Sequence, residues 1–123
     1  MESERKTIFI VDDNRSNLVV GSDALSGSYR VFTFISGGKL FKMLEKLVPD
    51  LILLDVDMPE MDGYEVLKRL KSDSKTADIP VIFLTALSST ELEHSRISTD
   101  TVYYISKPFT PPMLIKSVER HLR

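Results

Sequence analysis

Four aliphatic residues, Leu51 to Leu54, run straight into Asp55, and Asp57, Glu60, Asp62 and Glu65 follow within one short stretch. An apolar run of this kind belongs in a core, where an uncompensated ionised carboxylate is costly. Other short apolar runs also end on polar residues. Asp12 and Asp13 follow Ile8 to Val11, Thr85 follows Val81 to Leu84, and Ser106, Lys107 and Pro108 follow Ile105. If these terminators share one rim, three carboxylates meet a hydroxyl and an ammonium there. Carboxylates a few ångströms apart repel, so one takes up a proton or a cation joins them. The chain has no cysteine, and neither histidine, His94 or His121, stands near these positions. The available ligands are then hard oxygens, which select Mg²⁺ or Mn²⁺ over zinc or copper. A lysine facing an acidic metal site suits a further anion, and its ammonium is a point charge fit for a phosphoryl oxygen. Thr85 can donate to a second oxygen, and an aspartate can itself be the nucleophile that becomes an acyl phosphate. Each residue alone has a plainer reading: a solvated turn for Asp13, a surface charge for Lys107, a cap for Thr85. Their coincidence at successive strand ends carries the inference of a phosphate and Mg²⁺ site.

Only a parallel sheet brings such ends together, because all its carboxyl ends lie along one edge. The pattern supplies one. Five short β-branched and aromatic runs, 8–11, 31–35, 51–54, 81–84 and 102–105, alternate with segments of helical spacing. Leu40, Leu44, Leu47 and Val48 share one helical face, and Leu114, Ile115, Val118 and Leu122 share another. Strict alternation implies right-handed βαβ units with helices on both faces of the sheet. The runs ending at Val11, Leu54 and Leu84 are apolar throughout, as strands buried on both faces are. The second and fifth runs carry Thr33, Tyr103 and Tyr104 and fit the sheet edges. Asn14 or Ser16 can cap the first helix and Gly27 can end it in a left-handed conformation. Ser88-Ser89-Thr90-Glu91 has capping-box spacing for a fourth helix, and Thr110 can cap the last, with Pro111 in its first turn.

The 123 residues, with no linker or repeat, read as a single domain spanning 1–123. A formal charge of -2 argues against holding nucleic acid by phosphate neutralisation. No run approaches a membrane span and MESERK lacks a signal peptide's apolar stretch, so the expected setting is cytoplasmic.

With these residues assembled, the chain resembles the receiver domain of two-component response regulators over nearly its full length. "IFIVDDN", "PDLILLDVDMPEMDGYEVL", "IPVIFLTA" and "YYISKPF" stand in that family's order and spacing. The resemblance implies a flavodoxin-like, doubly wound, five-stranded parallel sheet in the order 2-1-3-4-5. It implies that Asp55 accepts a phosphoryl group from a sensor histidine kinase or histidine phosphotransfer protein. Asp12 and Asp13 would position Mg²⁺ (with Mn²⁺ an alternative), together with Asp55 and the backbone carbonyl of Asp57. Thr85 and Lys107 would contact the phosphoryl oxygens, and Lys107-Pro108 would be a cis bond. Thr85 and Tyr104 would form the switch, and the surface of the fourth helix, fifth strand and fifth helix the output. The receiver promotes only its own phosphoryl transfer and dephosphorylation and is not otherwise an enzyme. An output domain after "KPFTPPML", a separate downstream protein, and a homodimer through the last two helices are all compatible with the chain.

The chain departs from the family where many members have Gly-Ala before the fifth strand and this one has Asp100-Thr101. The fourth helical stretch has only Leu92 and Ile97 as large apolar anchors. Asp57 adds negative charge two residues past the acceptor and is expected to influence dephosphorylation. Met58 and Met61 read as packing residues. Asp55-Val-Asp57 also imitates the Asp-x-Asp of haloacid-dehalogenase phosphatases. Those enzymes, however, place an acidic metal motif after the lysine, and here the acidic pair precedes it. A receiver-shaped interaction module that is never phosphorylated is the other rival, and the intact acceptor set argues against it.

Overall fold

The computed structural model describes residues 5–86 and 102–122. Five strands, β1 (Thr7–Val11), β2 (Arg30–Phe34), β3 (Leu51–Asp55), β4 (Val81–Thr85) and β5 (Val102–Ser106), form one sheet in the order β2-β1-β3-β4-β5. Every neighbouring pair is parallel. The helices are α1 (Arg15–Leu25), α2 (Gly37–Leu44), α3 (Gly63–Lys71) and α4 (Pro111–His121). The fold is therefore the flavodoxin-like order that the resemblance implied, with the second and fifth strands at the edges.

Alternation along the interior strands divides the core in two. Phe9, Val11, Ile52, Leu54, Val81 and Phe83 point to one face, where Leu40 of α2 and Val66 and Leu70 of α3 cover them. Ile8, Ile10, Leu51, Leu53, Ile82 and Leu84 point to the other, beneath Leu18 and Leu25 of α1 and Leu114 and Val118 of α4. Strands with both faces covered are apolar along their interior, which is why Ile8 to Val11, Leu51 to Leu54 and Val81 to Leu84 read as unbroken runs while β2 does not. At the amino end of the sheet, Asp50 ties β3 to β1. Its carboxylate accepts the Thr7 amide at 2.7 Å and its own amide donates to the Thr7 carbonyl at 2.8 Å.

Asn14 caps α1, accepting from the amides of Ser16 and Asn17, and Thr110 caps α4. Two local expectations fail. No glycine among the described residues has positive φ, so Gly27 is not a left-handed terminator. Instead Ser26 stays right-handed, and the chain leaves α1 through further helical turns, with the Ser28 and Tyr29 amides donating to Leu25. Helix α2 stops at Leu44, and although Leu47 still packs on the core, Val48 is exposed. The Lys46 amide donates to Met43 three residues back, sharing that carbonyl with Leu47, so the last turn tightens and the helical face ends before Val48. Residues 88–91, Leu92, His94, Ile97 and Asp100-Thr101 lie outside the described residues.

Candidate functional site

The carboxyl ends of β1, β3, β4 and β5 adjoin in the sheet, so the polar residues that end them share one rim. Asp12 follows β1, its amide donating to Phe34 at 3.0 Å, and its side chain is fully buried. Oδ1 of Asp12 accepts the Asn14 amide at 2.9 Å, and Oδ2 accepts Nδ2 of Asn17 at 3.0 Å. Asp13, next in the chain, is exposed. Asp55 is the last residue of β3, paired in register with Leu84, and is 2% exposed. One carboxylate oxygen each from Asp12, Asp13 and Asp55 lies within 4.8 Å of the others. Nζ of Lys107 lies 2.7 Å from Oδ1 of Asp55 and 3.3 Å from Oδ2 of Asp12. Thr85 ends β4, buried, and its carbonyl accepts the Lys107 amide at 2.7 Å. The Lys107-Pro108 bond is cis. Asp57 is exposed in the loop after β3.

The loop leaving β3 is held at close range. Val56 donates to Leu84 at 3.2 Å and accepts from the Gly63 amide at 2.8 Å. A Cβ on Gly63 would stand 2.5 Å from the Asp55 carbonyl oxygen, so only glycine allows α3 to start this close to the acceptor backbone. Asp62 caps α3 by accepting the Glu65 amide at 2.9 Å. Between these anchors Glu60 has φ 67, left-handed for a residue with a side chain, while the Met61 amide folds back onto Pro59 at 2.7 Å. Met58 is buried and Met61 packs on the same core, as the sequence suggested.

The electrostatics follow from this crowding. Burial, opposed by the Lys107 hydrogen bond and reinforced by the Asp12 charge, pushes the Asp55 carboxyl from its ordinary 3.8 up to about 7. Burial would lower Lys107, but its hydrogen bond to Asp55 and the charges of Asp12 and Asp55 outweigh that and hold it above its ordinary range. One ammonium cannot neutralise this group of carboxylates. The rim is therefore short of positive charge, and its all-oxygen donors suit a hard divalent cation.

Further from the rim, the ring of Phe83, fully buried, is flanked by Tyr64 at 5.7 Å and Tyr104 at 5.9 Å, the latter nearly parallel to it. The Tyr104 hydroxyl is buried and has no hydrogen-bond partner among the described residues. On the exposed side of β5, Tyr103 packs on His121, 3.9 Å between ring centroids. Sequence reasoning overlooked Asn17 and Gly63. The signals were present: an amide in the first helical turn after an acidic pair, and a glycine directly after a capping aspartate.

A family model described as the response regulator receiver domain matches residues 8–119. A probable cyclic di-GMP phosphodiesterase of Vibrio cholerae is 41% identical over 117 residues, covering 95% of this chain and 26% of that protein. The polar-differentiation response regulator DivK of Brucella ovis is 35% identical over 118 residues, covering 95% of this chain and 96% of the relative. Among solved structures, the chemotaxis protein CheY4 of Vibrio cholerae superposes with a TM-score of 0.87 at 29% identity, over 96% of this chain and 99% of that one. The chain thus spans about a quarter of one of these relatives and nearly the whole of the other two.

Proposed function

The chain belongs to the response regulator receiver family, and from that premise we propose that Asp55 accepts a phosphoryl group from the phosphohistidine of a sensor kinase or histidine phosphotransfer protein. One observation carries this reading: a buried strand-end carboxylate lies 2.7 Å from a lysine and within reach of two further carboxylates, in a site otherwise poor in positive charge. An ionised Asp55 oxygen attacks phosphorus. The phosphorus–nitrogen bond breaks as the new phosphorus–oxygen bond forms, and the imidazole leaves with the electron pair. Such transfers depend on alignment and charge neutralisation more than on covalent help from the protein. Lys107 and Thr85 supply donors for the transferred oxygens. Asp12, Asp13, Asp55 and the carbonyl of Asp57 are the ligands we assign to Mg²⁺. When bound, Mg²⁺ supplies positive charge against the transferring oxygens.

Phosphorylation replaces one negative charge by about two and adds acceptor oxygens. We assign Thr85 and Tyr104 to the switch that reads this change by biasing an existing equilibrium. The Tyr104 hydroxyl, which has no hydrogen-bond partner among the described residues, supports the assignment, because an unsatisfied buried group is cheaply displaced. The output surface would then comprise β5, α4 and the segment preceding β5. Its reader is either an output domain in a longer chain or a separate protein. Among the described residues no helix is long and apolar enough to cross a membrane, in keeping with a cytoplasmic setting.

The test is intact mass after incubation with a small phosphodonor and Mg²⁺. The expected result is a gain of one phosphoryl group, lost in Asp55→Asn and on chelation. No gain in the unaltered chain would favour an unphosphorylated interaction module, and repeated turnover of phosphate esters would indicate a phosphatase.

A further inference from the structure

We propose that Asn17 is a positioning residue for the divalent cation, acting through Asp12; the inference rests on the metal site proposed above. Asp12 is fully buried, and an ionised carboxylate only accepts hydrogen bonds. Its two oxygens are held from different directions. The backbone amide of Asn14 reaches Oδ1 at 2.9 Å, and the side-chain amide of Asn17 reaches Oδ2 at 3.0 Å. Because Asp12 cannot donate, the nitrogen of the Asn17 side chain is the atom that must face it. Rotation of the Asp12 carboxylate about its Cβ–Cγ bond would break both contacts.

The second contact bears on Lys107 as well. Oδ2 of Asp12 is the oxygen that Nζ of Lys107 approaches at 3.3 Å, while Nζ sits at 2.7 Å from Asp55. With Asn17 already donating to Oδ2, Asp12 competes less strongly for the lysine, which stays on the acceptor. Asn17 therefore serves two ends: it fixes the direction in which Asp12 presents its remaining lone pairs, and it keeps the ammonium on Asp55. Groups that orient a ligating carboxylate in this way typically govern metal affinity by 10–100-fold.

Removing the donor while keeping the same branched side-chain skeleton tests the effect. Asn17→Leu should raise the Mg²⁺ dissociation constant about tenfold by calorimetry. Thr76→Ala, which removes a buried hydrogen bond to the Leu70 carbonyl at the opposite, amino end of the sheet, provides a destabilised reference and should leave Mg²⁺ affinity unaltered. Mg²⁺ affinity in Asn17→Leu within twofold of the parent overturns the proposal. So does an equal loss in both variants, since that would tie affinity to stability alone. Asn17→Gln, which retains an amide donor, should recover part of the affinity, and recovery no better than with leucine counts against a hydrogen bond as the cause. If the unaltered chain binds no Mg²⁺, the proposed function fails and takes this inference with it; if the unaltered chain binds and Asn17→Leu binds equally well, only the inference fails.

Discussion

Replacing Asp55 by asparagine should make the metal-free protein more stable, by an amount that grows with pH. Asparagine is nearly isosteric with the protonated acid and keeps an oxygen for Nζ of Lys107, so the substitution removes chiefly the ionised form. In the folded chain that carboxyl binds its proton up to about pH 7, against an ordinary value of 3.8. Between those values the native state holds more protons than the unfolded state, so stability falls as pH rises through that window. One pKa unit is worth about 1.4 kcal/mol, so the full interval corresponds to about 4 kcal/mol withheld once Asp55 is ionised. Water reaches the rim beside the exposed Asp13 and reduces the figure, giving an expected gain for Asp55→Asn of about 2–4 kcal/mol at pH 8. Near pH 4, just above the ordinary value, little of that interval has been crossed and the unfolded carboxyl is still about 40% protonated, so the gain should shrink below about 1 kcal/mol. Urea unfolding of parent and variant with a chelator present, at matched pH values from 4 to 8, measures the difference directly. Adding Mg²⁺ should narrow it, because only the parent keeps the full set of carboxylates and gains stability by mass action. A difference that is flat with pH, or a variant less stable than the parent at pH 8, would refute the account of how Asp55 is held.

Lys107→Met leaves the Asp12 and Asp55 carboxylates without their ammonium, so Asp55 should titrate at still higher pH, read from its side-chain carbon shift by NMR. The same variant should lower metal-free stability above neutral pH by about 1–3 kcal/mol, less than for a fully enclosed pair because the lysine is partly exposed. Gly63→Ala forces a methyl against the Asp55 carbonyl and the Val56 backbone, neither of which can rotate away. A loss of about 1–3 kcal/mol in urea unfolding is expected, with slower phosphoryl uptake from a small phosphodonor. Leu70→Ala, in the core beneath α3 and away from the rim, should cost about 2–5 kcal/mol while leaving phosphoryl uptake intact under folding conditions.

Residues that obey a periodicity were legible in the sequence. Ile8 to Val11, Leu51 to Leu54 and Val81 to Leu84 are apolar at every position because helices cover both faces of their strands, so they announced the sheet and which strands lie inside it, while the order of those strands came only with the family resemblance. The rim followed, since a parallel sheet places Asp12, Asp55 and Thr85 at one edge without any side-chain geometry being known. What depends on distance rather than pattern was not legible. Gly27 looked like a helix terminator by residue type, but Ser26 remained right-handed and no left-handed residue was needed. Val48 kept the helical spacing of Leu40 and Leu44 but lay past a turn closed by Met43, which no spacing rule records. Asn17 escaped notice because a single polar residue in a first helical turn resembles any solvated one until its 3.0 Å contact is seen.

Phe83 has a consequence that reaches beyond core filling. Its ring edge lies 3.1 Å from where a Cβ on Gly63 would be, while its face lies against Tyr104. Interiors packed to crystal density transmit displacement instead of absorbing it. Any adjustment of the peptide beside Asp55 thus meets a rigid aromatic plate whose far side is the tyrosine on the edge strand. Trimming that plate to leucine should loosen the mechanical link between the two even if each still occupies its own seat.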